Sequence, residues 1–294
     1  MTVGQARAAA PGLEVRIVAS RHERSRLWRE VKSANLFAGP HAFQDFFTLG
    51  GGSVFYLEAD PSRWLVLGRW KESSGIGIVW SIKAGEGESS ALLRAALDHG
   101  GDRGFKSLIT RPLSIAQAVS YLAVGFEPFR EITIFDVAVT APLRAKPALV
   151  LPEGVTLRGL RPGDTGKVLS LDSRCFDDFW NLDPYTLAGI AHAADVNTLH
   201  LAMAEAKPVG YSIAGVTAGR GYLQRLGVDP EYQGRGLGKA LATWTVWWMS
   251  RNGASLITVN TQSDNERASR LYRSLDFRQA GAEKFLFAHE VGVI

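Results

Sequence analysis

The 294-residue chain contains a single cysteine, Cys175, and no long apolar run. One cysteine excludes an internal disulfide, which favours a reducing compartment, and the cytoplasm is the predicted location. Because no stretch reaches the ~18 apolar residues of a membrane-spanning helix, a membrane-embedded protein is not expected. The first residues lack the apolar core of a signal peptide, and residues 1–11 are predicted to form a flexible tail.

The chain also lacks a concentration of charge of one sign. Its net charge is +4, with 16 Lys and Arg against 14 Asp and Glu in residues 1–140, and 17 against 15 in residues 141–294. This even distribution argues against nucleic acid as a partner, and no membrane partner is expected. A local basic site for a small anion remains possible.

Two similar halves follow one another along the sequence. The stretch 141–153 has three prolines and no helical period, which predicts a linker between domains at 12–140 and 154–294. "GLEVRIV" and "GVTLRGL" open the two halves, and "SLIT" occurs once in each, at 107–110 and 255–258. The matching order of strand, helix, tyrosine and aromatic turn favours a duplicated unit.

In the second half, alternating and periodic stretches predict a mixed α+β domain. A strand over 155–160 precedes helices beginning near 165 and at 183–193. Paired strands at 197–206 and 208–217 turn at Lys207, and a strand follows at 221–228. A helix ending near Asn252 and stopped by Gly253, a buried strand, a helix capped by Asp264 or Asn265, and a closing strand complete the domain.

Three glycines stand on alternate positions between a predicted strand and a predicted helix, at Gly234, Gly236 and Gly238. Backbone amides at the start of a helix point outward unpaired and carry a partial positive charge. Glycines let a ligand approach that backbone closely, and Arg235 and Lys239 add full charges. The stretch therefore predicts an anion site, most naturally for phosphate, with a tight turn bearing exposed charges as the alternative.

Neither common nucleotide-binding pattern fits these glycines. A P-loop requires a glycine and a serine or threonine at the positions of Gln233 and Ala240. The dinucleotide fingerprint requires its third glycine one residue later than Gly238. The phosphate ligand is therefore not predicted to be bound by either nucleotide fold.

The same residues resemble a known family. "VDPEYQGRGLG" resembles the pyrophosphate loop of the GCN5-related N-acetyltransferases (GNAT), V-x-P-x-x-[QR]-G-x-G-x-[GA], at each fixed position. "VNTQSDNERASRLYRSLDF" resembles the later signature of that family. The resemblance covers about 154–291, and over the first half it is to the fold only. It implies two tandem GNAT-like domains, each a mostly antiparallel twisted sheet flanked by helices, an arrangement that resembles the mycothiol synthase branch.

The resemblance implies acetyl-coenzyme A as cosubstrate, no metal, and transfer of the acetyl group to an amine. Backbone amides from Gln233 through Lys239 would hold the pyrophosphate, and the backbone of Leu226 and Val228 would pair with the pantetheine arm like an added strand. The implied cofactor-binding residues are Leu226, Gly227, Val228, Gln233, Gly234, Arg235, Gly236, Leu237, Gly238, Lys239, Asn260, Asn265, Ala268, Leu271 and Tyr272.

The resemblance also implies catalytic roles. The Val228 amide would stabilise the oxyanion, and Tyr272 would protonate the leaving thiolate as general acid, the alternative being a half-buried helix aromatic. Many family members carry an acidic base on the fourth strand, where this chain has Gln224, and glutamine cannot accept the proton. Asp177 and Asp178, of which Asp178 is taken as the candidate, or a chain of waters are the alternatives.

"FDDFWNLDPY", residues 176–185, is predicted between the first two helices of the second half, where this family shapes the acceptor pocket. Phe179 and Trp180 are expected to stack on the acceptor, and Asp177 and Asp178 to hold a cationic amine. Gln224 is also expected on the substrate side. The alternative is a loop with satisfied caps and a core tryptophan. His200 is expected to be a strand residue rather than a base.

The first half is predicted to be a degenerate copy without cofactor binding. Its equivalent loop is shorter and carries Glu86 and Glu88, whose charges would repel a pyrophosphate. Ile109 and Ser114 stand near the positions that correspond to Asn260 and Asn265. The expected role of this half is structural, covering the sheet of the second domain and walling the acceptor site.

The resulting hypothesis is an acetyl-CoA-dependent N-acetyltransferase that acts by direct attack of a primary amine, with one site in the C-terminal domain. A small-molecule acceptor is expected because the extra domain should narrow access, and the protein is expected to be a monomer or homodimer. A protein N-terminus, as for ribosomal-protein alanine acetyltransferases, is the alternative acceptor. A non-catalytic acyl-CoA-binding sensor is favoured by Gln224 and disfavoured by the presence of Tyr272.

Overall fold

The computed structural model describes residues 13–34, 36–37, 39–48, 51–71, 75–191 and 193–291, and of residues 142 and 144 the backbone only. The predicted tail over residues 1–11 lies outside this description. The chain divides into two compact units. The first comprises Met1–Glu131 and Lys284–Ile294, and the second comprises Ile132–Glu283.

The first unit is a sheet with helices packed on it. Its strands are β1 (Val15–Ile17), β2 (Ser53–Leu57), β3 (Trp64–Arg69), β4 (Ile76–Lys83), β5 (Ser107–Thr110) and, from the end of the chain, β13 (Lys284–Glu290). Its helices are α1 (Arg21–Val31), α2 (Pro40–Thr48), α3 (Glu86–Asp102) and α4 (Val119–Leu122).

The second unit repeats this composition. Its strands are β6 (Glu127–Ala138, of which residues 132–138 belong to this unit), β7 (Val155–Gly159), β8 (Val196–Ala204), β9 (Lys207–Thr217), β10 (Arg220–Val228), β11 (Leu256–Gln262) and β12 (Arg278–Gln279). Its helices are α5 (Ala141–Arg144), α6 (Thr165–Cys175), α7 (Pro184–Ala191), α8 (Leu237–Arg251) and α9 (Glu266–Arg273).

Both units have the same strand order. The first sheet runs β1-β2-β3-β4-β5-β13, and the second runs β7-β8-β9-β10-β11-β6. In each sheet the fourth and fifth strands are parallel, and the other neighbours along this path are antiparallel. The predicted mixed α+β architecture, with mostly antiparallel sheets, is confirmed.

The sixth strand of each sheet comes from across the predicted domain boundary. β13 pairs with β5 through Ala288 and Ile109, whereas the predicted second domain, 154–294, contained it. Residues 132–138 pair with β11, whereas the predicted first domain extended to residue 140. The stretch predicted as a linker, 141–153, begins with the one-turn helix α5. Neither sheet is therefore completed by one contiguous half of the chain.

The two sheets correspond position by position. In the first, Val79 of β4 pairs with Thr110 of β5, and in the second, Leu223 of β10 pairs with Val259 of β11. Each pair stands just before a β-bulge in the fourth strand. This register equates Thr110 with Val259, so the two "SLIT" copies are offset by one residue. The duplication is supported by the strand register, and the shared tetrapeptide does not mark equivalent positions.

Helices cover both faces of the second sheet. On one face, Leu223 packs in a core cluster with Val246 and Met249 of α8, and α9 contributes to the same cluster. On the other face, Ile213 of β9 packs with Leu171 of α6 and with side chains of α7.

Three predicted element ends shift slightly. The β8–β9 turn falls at residues 205–206 rather than at Lys207, because Glu205 takes the left-handed conformation with φ 52°. The second helix begins at Pro184. α8 ends at Arg251, and Gly253 after it has φ +92°, the left-handed conformation that stops a helix, as expected.

Candidate active site

The glycine-rich loop joins β10 to α8 within the second unit. A 3₁₀ turn covers Pro230–Tyr232, and α8 begins at Leu237. Gly234 and Gly236 have φ of +76° and +82°, a conformation that strains any other residue. A Cβ at either position would meet nothing within 4 Å. The backbone on the outer side of the loop is therefore open to a ligand.

Two side chains anchor this loop to its surroundings. Gln233 Nε2 donates to the Val228 carbonyl at 3.0 Å. The nearly buried Asp229 accepts hydrogen bonds from the Glu231 backbone N–H at 3.2 Å and from Arg174 of α6 at 2.9 Å. Burial raises the pKa of Asp229, but these hydrogen bonds outweigh it, and the pKa is lowered. Neither side-chain contact is predicted from the sequence, in which Gln233 is expected to contribute its backbone amide to the pyrophosphate.

The start of α8 presents unpaired donors and unneutralised charge. The first helical hydrogen bond runs from the Ala240 N–H to the Gly236 carbonyl at 3.0 Å, and no side chain caps the helix. The N–H groups of residues 237–239 thus precede the helical ladder and face outward. Arg235 and Lys239 are exposed, and neither forms an ion pair with a residue that the structure describes. The predicted anion site has the required donors.

An opening between β10 and β11 continues from the loop. Pairing of these strands ends at Leu223 and Val259, although β10 stays paired with β9 as far as Val228. The Asp229 N–H donates to the Val209 carbonyl of β9. Alternation in an antiparallel ladder then directs the N–H groups of Val228 and, two residues earlier, of position 226 away from β9 and into the opening.

Tyr272 lies in α9 on the face of the sheet that α8 covers. Its side chain is 5% exposed, and its ring centroid is 6.0 Å from that of Phe135. Burial raises the pKa of the phenol above its usual value, so the hydroxyl is protonated at neutral pH. No described residue hydrogen-bonds to this hydroxyl. Leu271 beside it lies 3.7 Å from the place of a Cβ on Gly238, which brings α9 against the loop.

The two asparagines of the second signature make hydrogen bonds of their own. Asn265 is the N-cap of α9, and its Oδ1 accepts from the Ala268 N–H at 3.0 Å, which decides between the two predicted caps. Asn260 is exposed where β11 separates from β10, and its Nδ2 donates to the Tyr222 hydroxyl. Burial is the main cause of the raised pKa of Tyr222.

A buried hydrogen-bond network ties the segment after α6 to β10. The Asp172 carboxylate is fully buried and accepts from Arg225 Nε at 2.9 Å and Nη2 at 3.0 Å, from the Tyr211 hydroxyl and from the Leu182 N–H. Arg225 Nη2 also donates to the Trp180 carbonyl at 2.7 Å. The guanidinium of Arg225 therefore connects the acceptor-side segment to the strand that borders the opening.

This network is not predicted from the sequence. Asp172 follows the buried Val168 by four residues and so lies on the apolar face of α6. A carboxylate in that position needs a buried partner, which is the signal that could have revealed the network. The partner Arg225 directly follows Gln224, which is expected on the substrate side.

Residues 176–183 lie between α6 and α7, whereas the prediction placed 176–185 there, because α7 already begins at Pro184. The rings of Phe179 and Trp180 meet edge to face with centroids 4.8 Å apart. Asp177 Oδ1 accepts the Trp180 N–H at 2.9 Å, so Asp177 closes a turn, which was the alternative considered for it. Asp178 is exposed in this segment, whereas Tyr272 packs on the opposite face of the sheet. The structure does not bring these two together.

Gln224 occupies the β-bulge of β10, and His200 lies in β8, as expected of a strand residue. His200 is 9% exposed beside the rings of Trp244 and Trp248. Burial lowers the pKa of its imidazole to about 4, so His200 is neutral at physiological pH and a poor proton acceptor there.

The equivalent loop of the first unit is closed. β4 ends at Lys83 and α3 begins at Glu86, so residues 84 and 85 are all that joins them. Glu88 Oε2 accepts from the Gly85 N–H at 2.7 Å in a capping box. The unit's own carboxylate occupies the place of an anion, which agrees with the predicted loss of cofactor binding.

Strand register revises one residue correspondence between the units. Because Thr110 matches Val259, Arg111 rather than Ile109 corresponds to Asn260. Ser114 caps a 3₁₀ turn, as Asn265 caps α9. Because the first unit has Arg111 at the position of Asn260, it lacks the side-chain amide that the resemblance assigns to ligand binding.

The structure thus brings most of the predicted cofactor-binding residues into one region of the second unit. Leu226, Ala268, Leu271 and Tyr272 share one core cluster, and Leu226, Val228 and Leu237 share another. Gly227 packs against the Tyr211 ring, where a Cβ would lie 2.5 Å from Cε1. Their roles toward a ligand stay predictions.

Sequence similarity to known proteins identifies the family of this chain. The Acetyltransferase (GNAT) family model matches residues 166–277. A mycothiol acetyltransferase of Thermobispora bispora is 32% identical over 208 residues, which cover 66% of this chain and 68% of that protein. The chain belongs to the GNAT acetyltransferase family. A mycothiol acetyltransferase of a Nocardioides species is 28% identical over 253 residues, covering 78% of this chain and 80% of that protein.

A solved structure supports the tandem arrangement of this GNAT protein. A tandem GNAT protein from the clavulanic acid biosynthesis pathway superimposes with a TM-score of 0.70 over 96% of this chain and 99% of that chain, at 15% identity. The predicted family, tandem fold and N-acetyltransferase class are confirmed. GNAT acetyltransferases use acetyl-CoA. No helix within the described ranges is long and apolar enough to cross a membrane, and no group of three His, Cys, Asp or Glu there is arranged to hold a metal.

Proposed function

We propose that the protein transfers an acetyl group from acetyl-CoA to the primary amine of a small molecule, by direct attack, at one active site in the second unit. One observation carries the proposal. Unpaired backbone donors run from the β10 edge at Leu226 and Val228 to the start of α8 at residues 237–239. Such a line of donors matches a ligand with an extended amide-containing arm and a diphosphate at its end.

The residues present fit acetyl-CoA. The pyrophosphate would lie at the α8 N-terminus, where Gly234 and Gly236 leave the backbone open and Arg235 and Lys239 supply positive charge. The pantetheine arm would complete the β10 edge in the opening. When bound, the cosubstrate supplies a thioester carbonyl that an amine can attack.

Two groups of the chain would assist the reaction. The Val228 N–H faces the opening and would donate to the carbonyl oxygen as negative charge develops there. The Val228 carbonyl, which belongs to the next peptide group along the chain, accepts a hydrogen bond from Gln233, so the loop is tied to the end of β10 beside this N–H. Tyr272 is protonated because burial raises its pKa, and its hydroxyl would donate a proton to the departing sulfur.

The small-molecule acceptor is supported by relatives. Both relatives described above are mycothiol acetyltransferases, so a mycothiol-type amine is one candidate. A non-catalytic acyl-CoA sensor is the alternative that Gln224 favours, because no carboxylate stands at that position. Turnover distinguishes the two. The amines to be tested are D-glucosamine, tyramine and spermidine, with an alanine-initiated peptide for the protein N-terminal alternative.

Calorimetric titration of acetyl-CoA tests the site. The intact protein is expected to bind one equivalent, and Gly236→Glu to lose binding because a carboxylate would stand among the loop amides. Gly253→Glu is the matched control, since Gly253 also has a left-handed φ of +92° and open space around it, at the other end of α8. Two sites would mean that the first unit binds as well. No binding by the intact protein, or equal loss in both variants, would contradict the proposal.

A further inference from the structure

Gln224 stands at an irregular point of β10. Leu223 pairs with Ala214 of β9, and Arg225 pairs with Ile213, so Gln224 has no partner of its own in the ladder. A bulge of this kind turns a side chain out of the regular alternation and is common beside active sites. Here it lies where β10 loses its pairing with β11, at the beginning of the opening.

The bulge directs Gln224 to the face that α6 covers. Leu223 faces α8, and the bulge interrupts the alternation so that Gln224 and the residue after it share the other face. Arg225 also reaches that face, where it meets Asp172 of α6. Gln224 therefore lies on the same side of the sheet as the segment that contains Phe179 and Trp180.

The side-chain carbonyl oxygen of Gln224 is buried, and no residue that the structure describes donates a hydrogen bond to it. A buried acceptor left unpaired carries a real free-energy cost, which a bound donor would remove. Arg225 Nε and Nη2 serve Asp172 and Trp180, and Asn260 Nδ2 serves the Tyr222 hydroxyl.

We propose that Gln224 is a positioning and specificity residue, whose Oε1 accepts a hydrogen bond from the N–H of the incoming acceptor amine. This inference rests on the proposed function. In the transfer, the nitrogen lone pair forms the N–C bond, the C–S bond breaks and the sulfur takes a proton. The surplus proton on nitrogen leaves to water, because an amide carbonyl orients the N–H but cannot remove the proton.

The proposal has a kinetic consequence. With no base at position 224, the acceptor must arrive already neutral, so kcat/KM should rise with pH until the amine's own pKa. The titratable and charged groups that face this region from the packed elements are Tyr222, Arg225, Asp172, Cys175, Tyr211, Asp136, Asp177 and Asp178. None of them is required to titrate for this profile.

Two nearly isosteric variants test the proposal, with the fastest of the amines named above as probe. Gln224→Met removes the acceptor oxygen and should lower kcat/KM about 3- to 10-fold, mainly through KM for the amine. Gln224→Glu keeps an oxygen and adds a base, so kcat/KM below the pKa of the amine should rise by about 10-fold or more, with a new limb set by the carboxylate. The acetyl-CoA affinity of both variants should match that of the wild type.

The outcomes separate the two proposals. If both variants lose activity alike and keep the wild-type pH profile, Gln224 has only a structural role, or its N–H2 group faces the acceptor, and the positioning role is overturned. If the wild type binds acetyl-CoA but acetylates none of the amines, transfer to a small amine is overturned together with this inference. A wild-type profile that stays flat up to the pKa of the amine would overturn the positioning role alone.

Discussion

Replacement of Asp172 by alanine should destabilise the second unit severely. Asp172 is 0% exposed, and its carboxylate is the shared acceptor for Arg225, Tyr211 and the Leu182 N–H. Among the residues that the structure describes, Asp172 alone forms an ion pair with the Arg225 guanidinium. That side chain is 13% exposed and lies 3.6 Å from the Phe176 ring centroid. The perturbation is therefore an unpaired charge in a mostly apolar place.

The magnitude follows from this burial. Breaking a buried ion pair by removing one partner costs about 3–5 kcal/mol, because the remaining charge stays poorly solvated. The whole free energy of unfolding of a domain is about 5–15 kcal/mol. Loss of the Asp172 carboxylate should thus remove a large part of the stability of the second unit.

A double-mutant cycle measured by urea unfolding tests the reasoning. Asp172→Leu combined with Arg225→Met removes both charges and should cost at least ~2 kcal/mol less than the sum of the single changes. Asp164 and Arg158, whose atoms approach to 2.6 Å, provide a matched cycle at the start of α6 with a more exposed arginine. The coupling there should be smaller, because solvent reaches the Arg158 side chain.

The same variants address the acceptor side. Arg225 holds the Trp180 carbonyl at 2.7 Å, so its release should loosen the segment after α6 and raise KM for the amine. The acetyl-CoA affinity should change little, because the loop contacts lie elsewhere. A cost below ~1 kcal/mol for Asp172→Ala, or equal coupling in the two cycles, would refute the argument.

Three further predictions concern other parts of the chain. Tyr272→Phe should lower kcat by about 100-fold with acetyl-CoA affinity retained in calorimetry, and unchanged turnover at every pH would exclude the acid role. Phe287→Ala should cost about 3–5 kcal/mol in calorimetric unfolding, because this β13 side chain is fully buried in the first unit, and a cost under ~1 kcal/mol would contradict its core position. The Arg158 hydrogen bond lowers the pKa of Asp164 to about 2, so the stability it adds is present above about pH 4 and lost between about pH 4 and pH 2; urea midpoints should show this loss in the wild type but not in Asp164→Asn.

The glycine loop could be predicted from the sequence because its causes are local. Positive φ at Gly234 and Gly236, and a helix start without a side-chain cap, depend on a few neighbouring residues. The same holds for the Asn265 cap, whose partner is three residues away. Features of this kind can be predicted from short stretches of the chain.

The acceptor side could not be predicted in the same way, because its partners are distant in sequence. Asp172 and Arg225 are 53 residues apart and meet only after α6 docks on the sheet. The bulge at Gln224 likewise depends on the register with β9 and leaves no local mark. The resemblance pointed to position 224 but could not show that its oxygen is buried without a partner.

The predicted domain limits differ from the two observed units for a related reason. The apolar and polar residues around Phe287 alternate as they would in any strand of either sheet. Their place near the end of the chain suggests that this strand belongs to the second half. β13 pairs with β5, which is distant in sequence, and the alternation of side chains in a strand does not predict its partner. The two "SLIT" copies show that a local identity can also mislead, because they stand at positions of the two sheets that do not correspond.

The two units separate the fold from the chemistry. They share strand order, a parallel fourth and fifth strand and a bulge, so none of these features alone makes a site. They differ in the loop, where residues 229–236 precede α8 but only residues 84–85 precede α3, and in the bulge, where Gln224 replaces Trp80. Glu88 already satisfies an amide at the start of α3, whereas the amides at the start of α8 have no such partner. Anion binding is therefore expected in the second unit, where the backbone N–H groups at the start of α8 lack a side-chain acceptor. It is not expected in the first unit, where the Glu88 carboxylate already accepts a hydrogen bond at the start of α3.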